Sequence, residues 1–494
     1  MAAKYITSHP FIHYVSECLV QPKHIPQDSE QRIYFAPWDL SLASINYNQK
    51  GLLFAKPPAF DSEGKMKDFL QKLIESLSLT LVHFYPLAGR LATLKQENPP
   101  IYSIYVDCTN LPGAKFAHAS VDLTIDDILT PIYMPKIVYS FFDHVGAVNH
   151  DGHSMSLMSI QVTELKDGIF IGWSTNHLLV DGTSFWHFIN TWSEVFNANT
   201  AVTELKDGIF IGWSTNHLLV DGTSSWHFIN TWSEVFNAKG QISTISRPPI
   251  LKRWFPEGHR SPVFSLPFAH HDEFISRFQT PELLERYFHF SAESLAKLKA
   301  KANAECNSTT ISTFQALSAL LWRCITRARN MPSDQQTSAG TSVNSRLRIN
   351  PPLSEEYLGN CVQVVAVTTT CGELLTNGLG WAAWKLHELV INQTDRSIRE
   401  WVESWVKSPF IVWIGRFSNR IQIGSSPRFN VYGSEFGLGK ALAVRSGFAN
   451  KPDGKITLFP GREGGGSMDV EVCLPPQSMS FLESDQEFME NVSL

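Results

Sequence analysis

The sequence predicts an α/β protein with mixed sheets, divided between two large domains. Three observations carry that expectation. The chain has 494 residues, more than one hydrophobic core ordinarily fills, so its mass divides in two. Strand-like and helix-like segments alternate without a regular period, which favours mixed layers over a doubly wound sheet. The composition, 43% hydrophobic with 14 Trp and 32 Phe, supplies bulky apolar material for two cores and a cleft.

The elements follow in chain order. Residues Ile169 to Ser174, IFIGWS, are apolar and aromatic and follow the turn signal Lys166-Asp167-Gly168, so they read as a strand. Gly182-Thr183-Ser184 then offers helix-start chemistry. Phe185, Phe188, Ile189, Trp192, Val195 and Phe196 recur at three- and four-residue spacing, the stripe of an amphipathic helix. Pro248, Pro249, Pro256, Pro262 and Pro267 mark residues 239–275 as a crossover rather than a packed element. Residues 1–238 form the expected first domain and residues 276–494 the second. Within the second, Ser291–Glu305 and Ser312–Arg329 read as helices, and Val362–Thr370 as a buried strand. The glycine-rich run Gly461 to Gly466 reads as a turn between strands.

Residues 162–198 recur almost unchanged at 202–238, the sole difference being Phe185 against Ser225. Architectural repeats need three or more copies and normally diverge more. The pair therefore reads as a tandem duplication or a gene-model error. Each copy carries Asn-His-Leu-Leu-Val-Asp-Gly at the strand-to-helix connection, placing His177 and Asp181 in the first copy and His217 and Asp221 in the second. An imidazole near its ordinary pKa of about 6.5 takes a proton from a hydroxyl or amine at neutral pH. The bland alternative is a histidine that only caps or bridges inside the fold, and H-x-x-x-D alone does not decide between them.

Other chemistries are excluded or unsupported. A net charge of -6 argues against nucleic acid as a partner. The seven scattered cysteines contain no C-x-x-C pair, which removes zinc and thioredoxin-like readings and favours a reducing, cytoplasmic setting. No signal peptide or membrane span is evident. G-x-S-x-G and phosphate-binding glycine loops do not occur. His270-His271-Asp272-Glu273 reads as solvated surface, so no metal is expected.

NHLLVDG, followed by TSFWHFINTW and later by Glu435-Phe436-Gly437-Leu438-Gly439-Lys440, resembles the BAHD acyltransferases of plant secondary metabolism. Their pattern is a central HxxxD and a C-terminal DFGWG. The resemblance extends through YPLAGRL at 85–91, NPPL at 350–353, GNCV at 359–362 and GREGGGSMDVEV at 461–472, so it covers nearly the whole chain. It implies two chloramphenicol-acetyltransferase-like domains with an active-site channel between them. It further implies a monomeric enzyme that moves an acyl group from acyl-CoA to a hydroxyl or amine of a small molecule, with no bound cofactor and no acyl-enzyme. His177 is then the general base. Asp181 shapes the loop, with Arg346 or Arg348 as candidate partner, instead of orienting the histidine as in a triad. Glu435 and Leu438 depart from the family's Asp and Trp, while Gly437 and Gly439 keep the loop pattern. Ser425 and Ser426 are candidate oxyanion donors, and Ser312 a candidate CoA contact. Alternative readings are a binding-only or inactive member disrupted by the duplication, and a lyase or hydrolase using the same pocket.

Between the copies, the first keeps the upstream run SMSLMSIQVTEL, able to supply a pairing strand. The second has Ser225 where the helical stripe wants Phe, forfeiting about 1.5–3 kcal/mol of burial. The second copy does join the crossover directly. The balance favours His177, with His217 as the alternative.

Overall fold

The structure, a computed structural model, describes residues 11–27, 29–62, 64–176, 249–255, 263–279, 281–414, 419–424 and 427–493. His177, Asp181, His217, Asp221, Ser425 and Ser426 lie outside the described residues. Strands are β1 (His13–Val20), β2 (Arg32–Tyr34), β3 (Asn48–Ala55), β4 (Arg90–Gln96), β5 (Ile101–Asp107), β6 (Ala114–Ser120), β7 (Met158–Glu164) and β8 (Gly168–Thr175). The later half adds β9 (Leu284–Phe290), β10 (Gln336–Asn344), β11 (Val362–Thr370), β12 (Arg420–Gly424), β13 (Ala443–Ser446), β14 (Lys455–Pro460) and β15 (Met468–Leu474).

Among the described residues two mixed six-stranded sheets form, ordered β1-β6-β7-β8-β3-β13 and β9-β15-β14-β12-β10-β11, beside a small sheet β2-β5-β4. The mixture arises because β6 runs parallel to β7, and β12 parallel to both β10 and β14, whereas the other pairs are antiparallel. The α/β class with mixed sheets is as the sequence predicts. The second sheet draws its strands from within the proposed 276–494 domain, but that half also sends β13 into the first sheet, where Ser446 lies opposite Lys50.

Helices cover the outer faces. α1 (Lys65–Thr80) buries Phe69, Leu73 and Leu77 against the first core, the same-face spacing of an amphipathic helix. α2 (Ala292–Glu305) and α3 (Thr313–Ala328) confirm the two helices read from sequence. Their starts follow from Ser291, whose hydroxyl accepts from the Ser294 amide, and from Ser312, whose hydroxyl accepts from the Gln315 amide. α3 is buried on nearly every side, with Leu317, Leu320, Leu321, Trp322 and Ile325 filling the second core.

Two expectations need correction. Val362–Thr370 is a strand but not a buried one: among the described residues it is the sheet's edge, paired on one side only, and Val364 is 54% exposed. A run of apolar residues does not reveal whether a second neighbour will cover it. Within the crossover, the described part packs rather than merely spans. Leu266 exchanges backbone hydrogen bonds with Tyr102 at 3.1 and 3.0 Å, and Phe264, Leu266 and Phe274 join the first core. The prolines prevent ladder bonding there without preventing apolar burial. The Gly461–Gly466 segment is the expected turn, closing β14 onto β15 with Gly461 and Ser467 bonded at 2.9 Å. Among the described residues, no helix is long and apolar enough to cross a membrane.

Candidate active site

The strand that leads to the first histidine is bonded on both sides. β8 pairs antiparallel with β7, Met158 opposite Thr175, and antiparallel with β3, Asn48 opposite Thr175. The upstream run of the first copy thus supplies a full partner strand. Close approach fixes the strand's composition: a Cβ on Gly172 would lie 1.9 Å from the Phe141 carbonyl oxygen, a distance no side chain tolerates. At the strand's end Asn176 is fully buried. Its amide N–H donates to the Leu157 carbonyl at 3.3 Å, and its side-chain amide donates to the Asn149 carbonyl. Gly152 leaves the necessary room, since a Cβ there would stand 2.8 Å from the Asn176 side-chain nitrogen. The next residue in the chain is His177.

The C-terminal motif reaches the same sheet from the other end of the sequence. Phe436, Gly437 and Gly439 have φ of 41°, 74° and 73°, so the loop coils through left-handed backbone that glycine adopts without cost. Phe436 and Leu438 turn inward to the first core, whereas Glu435 is exposed. Of the two departures from the family pattern, Glu435 thus meets solvent and Leu438 packs in the core. The Lys440 ammonium donates to the Arg462 carbonyl, and Arg462 Nε donates to the Ala441 carbonyl at 3.0 Å. The loop then feeds β13, which bonds β3, which bonds β8. Two motifs about 260 residues apart in the chain are therefore joined through three adjacent strands.

Ser312 serves as the N-cap of α3, with its amide donating to Gln315 Oε1 at 2.8 Å. Arg346 is buried, its guanidinium donating to the Tyr357 and Gly359 carbonyls at 3.3 and 2.8 Å, and burial lowers its pKa to about 10. Arg348 instead donates to the Val390 and Gln393 carbonyls at 3.0 and 2.9 Å. The His270–Glu273 segment is a short capped turn, with His270 and Asp272 side chains 54% and 80% exposed. His271 stacks on His150 at 4.8 Å, and His150 bonds the Tyr102 hydroxyl at 2.8 Å.

Sequence reasoning missed a buried ionic network between the sheets. The Lys451 ammonium donates to Glu285 and, at 2.9 Å, to Glu471, while the Tyr287 hydroxyl donates to Glu471 at 2.8 Å. A period-2 signal for it existed. In β9 and β15 the apolar set Phe288, Phe290, Val470 and Val472 alternates with Glu285, Tyr287, Asp469 and Glu471.

The model of the Transferase family matches this chain over residues 13–202 and 199–489, two spans that meet inside the duplication. An uncharacterized acetyltransferase of Arabidopsis thaliana is 33% identical over 487 residues, covering 97% of this chain and 99% of the relative. The chain belongs to the BAHD acyltransferase family. BAHD acyltransferase DCR of the same plant is 29% identical over 495 residues, covering 97% of this chain and 92% of that protein. Among solved structures, F. graminearum TRI101 complexed with coenzyme A and T-2 mycotoxin superimposes with a TM-score of 0.66. It is 15% identical and covers 94% of this chain and 99% of its own. The two-domain α/β BAHD fold and acyl transfer as the general chemistry follow from membership.

Proposed function

We propose that this BAHD member transfers an acyl group from a CoA thioester to a hydroxyl or amine of a small-molecule acceptor, with His177 as general base. The observation that carries the reading is the first copy's strand. It is bonded on both sides within the first sheet and ends at a buried, doubly anchored Asn176, immediately before His177. A base delivered by a rigid strand end is held in one position, which proton transfer at a defined atom requires.

In this mechanism the imidazole takes the acceptor's proton as the oxygen or nitrogen attacks the thioester carbonyl. The C–O or C–N bond forms, and the carbonyl electrons move to oxygen. Ser425 or Ser426, which follow β12 directly, would donate to that oxyanion. Collapse breaks the C–S bond, and the imidazolium returns its proton to the CoA sulfur. No acyl-enzyme forms. Asp181 maintains the loop, with Arg346 or Arg348 as its partner, and Ser312 stands as the CoA contact beside its capping role. The relatives' names as acyltransferases and the coenzyme A complex of TRI101 support this reading.

The test is CoA release from acetyl-CoA and an aromatic acyl-CoA with a panel of alcohols and amines. His177→Ala should lower kcat/KM by about 10²–10⁴-fold, and His217→Ala should leave it near wild type. Activity should fall as pH drops through about 6.5, where the imidazole gains its proton. Turnover surviving the double variant would remove the general-base assignment, and loss with His217→Ala alone would move the site to the second copy. An acceptor cleaved rather than acylated would identify a lyase or hydrolase.

A further inference from the structure

The second sheet has one greasy face and one polar face, and both are covered. Phe288, Phe290, Ile421, Ile423, Ile456, Leu458, Val470 and Val472 point to the helices. Alternation sends Tyr287, Lys455, Thr457, Phe459 and Glu471 to the opposite side, where Phe459 packs into the first domain's core and Tyr287 lies against it. Polar side chains are thus held in a crevice whose far wall is β3 and β13.

Within the crevice the charges do not all balance. Lys451 is saturated by Glu285 and Glu471. Lys50, the third residue of β3, has three donor positions but only the Ser446 hydroxyl at 2.5 Å, with the Phe459 ring 5.0 Å beneath it. Among the described residues no carboxylate pairs within ion-pair distance with Lys50 or with Lys455, and both are half-buried. Glu471 Oε2 also lacks a partner although the residue is wholly buried. Counted together, Lys50, Lys451 and Lys455 face two carboxylates, Glu285 and Glu471, so one positive charge is left over, and a desolvated excess charge is costly unless a ligand completes it.

Their positions connect them to the proposed reaction. Lys50 stands two residues, about 7 Å, along β3 from Asn48, which is opposite the end of β8. Lys455 Nζ rests against Gly424, where a Cβ would approach it to 2.5 Å, and the chain continues from Gly424 to Ser425. The charged and titratable neighbours of Lys50 are Glu471 and Cys473 on β15, Lys455 on β14, and Lys451; burial, with the two other lysines, lowers its pKa to about 7.

We propose that Lys50 and Lys455 form an anion-recognition subsite that binds a carboxylate carried by the acyl acceptor. The inference rests on the acyl-transfer reading for the word acceptor, but binding is measurable without turnover. Calorimetric titration would use 4-hydroxyphenylacetate and 3-hydroxybutyrate, each beside its methyl ester, with no acyl-CoA present. The wild type should bind at least one acid about tenfold or more tighter than its ester, as expected for a charge-assisted contact. Lys50→Met and Lys455→Met should each abolish that preference, and Lys50→Arg should keep it; circular dichroism verifies folding. No acid preferred over its ester in the wild type, or a preference unchanged in both Met variants, overturns the proposal. So does a selective loss of affinity for CoA relative to dephospho-CoA, which would assign these cations to the donor. Failure of acyl transfer itself would show separately, as absence of CoA release in the wild type.

Discussion

Lys451 is the residue on which the inter-sheet network depends. Its ammonium is almost wholly buried and bonds carboxylates from two strands, β9 and β15. Lys451→Met would strand both charges, so a loss of about 3–5 kcal/mol is expected in urea unfolding. The pH dependence has a definite sign. Burial pushes the Glu471 carboxyl up, but Lys451 and Lys50 more than offset it and hold it near about 2. Unfolded, the group titrates near about 4.3. Its stabilisation is therefore complete above that pH and is lost as pH falls toward about 2. Glu471→Gln should give a flatter acid limb in thermal midpoint against pH than the wild type; an unchanged limb would place the acid sensitivity elsewhere.

At the scale of elements, β8 is the decisive strand because identical sequence occurs twice. Gly172 meets the Phe141 carbonyl oxygen with no room for a methyl group, so Gly172→Ala should cost about 1–3 kcal/mol or more through forced backbone displacement. If the first copy alone supplies the strand, Gly212→Ala should leave the unfolding midpoint within experimental error. Equal losses from both would mean that the chain uses the copies interchangeably. The same element shows how far pattern reading extends. IFIGWS was legible as a strand from its aromatic and β-branched content, and its partner run was legible too. The edge position of Val362–Thr370 was not, because pairing on the second side depends on segments distant in sequence.

For the whole molecule, we propose that the second copy is surplus, because the first already supplies a strand bonded on both sides. Deleting residues 199–238 rejoins Ala198 to Lys239 and leaves 454 residues. The shortened chain should keep its acyl-transfer activity and unfold at a midpoint no lower than the full chain. A large drop in either would show that the second copy contributes to the core. The packed crossover and the transfer of β13 to the first sheet also operate at this scale. Together with Phe436 and Leu438, they bind residues of the later half into the first core.

Sequence by itself determined the α/β class, the helices at 292–305 and 313–328, and the family motifs with their order, because these rest on local periodicity, capping and residue identity. It also marked His177 and His217 as equivalent candidates and could rank them only through their neighbours. Tertiary structure alone decided that β8 of the first copy sits between β7 and β3. It also decided that the Glu435–Lys440 loop supports that sheet through β13, and that Lys50, Lys451, Lys455, Glu285 and Glu471 share one crevice. Those residues come from four separated segments. The free energy that unites them, burial of charge against charge and sheet against sheet, does not exist until distant strands have met.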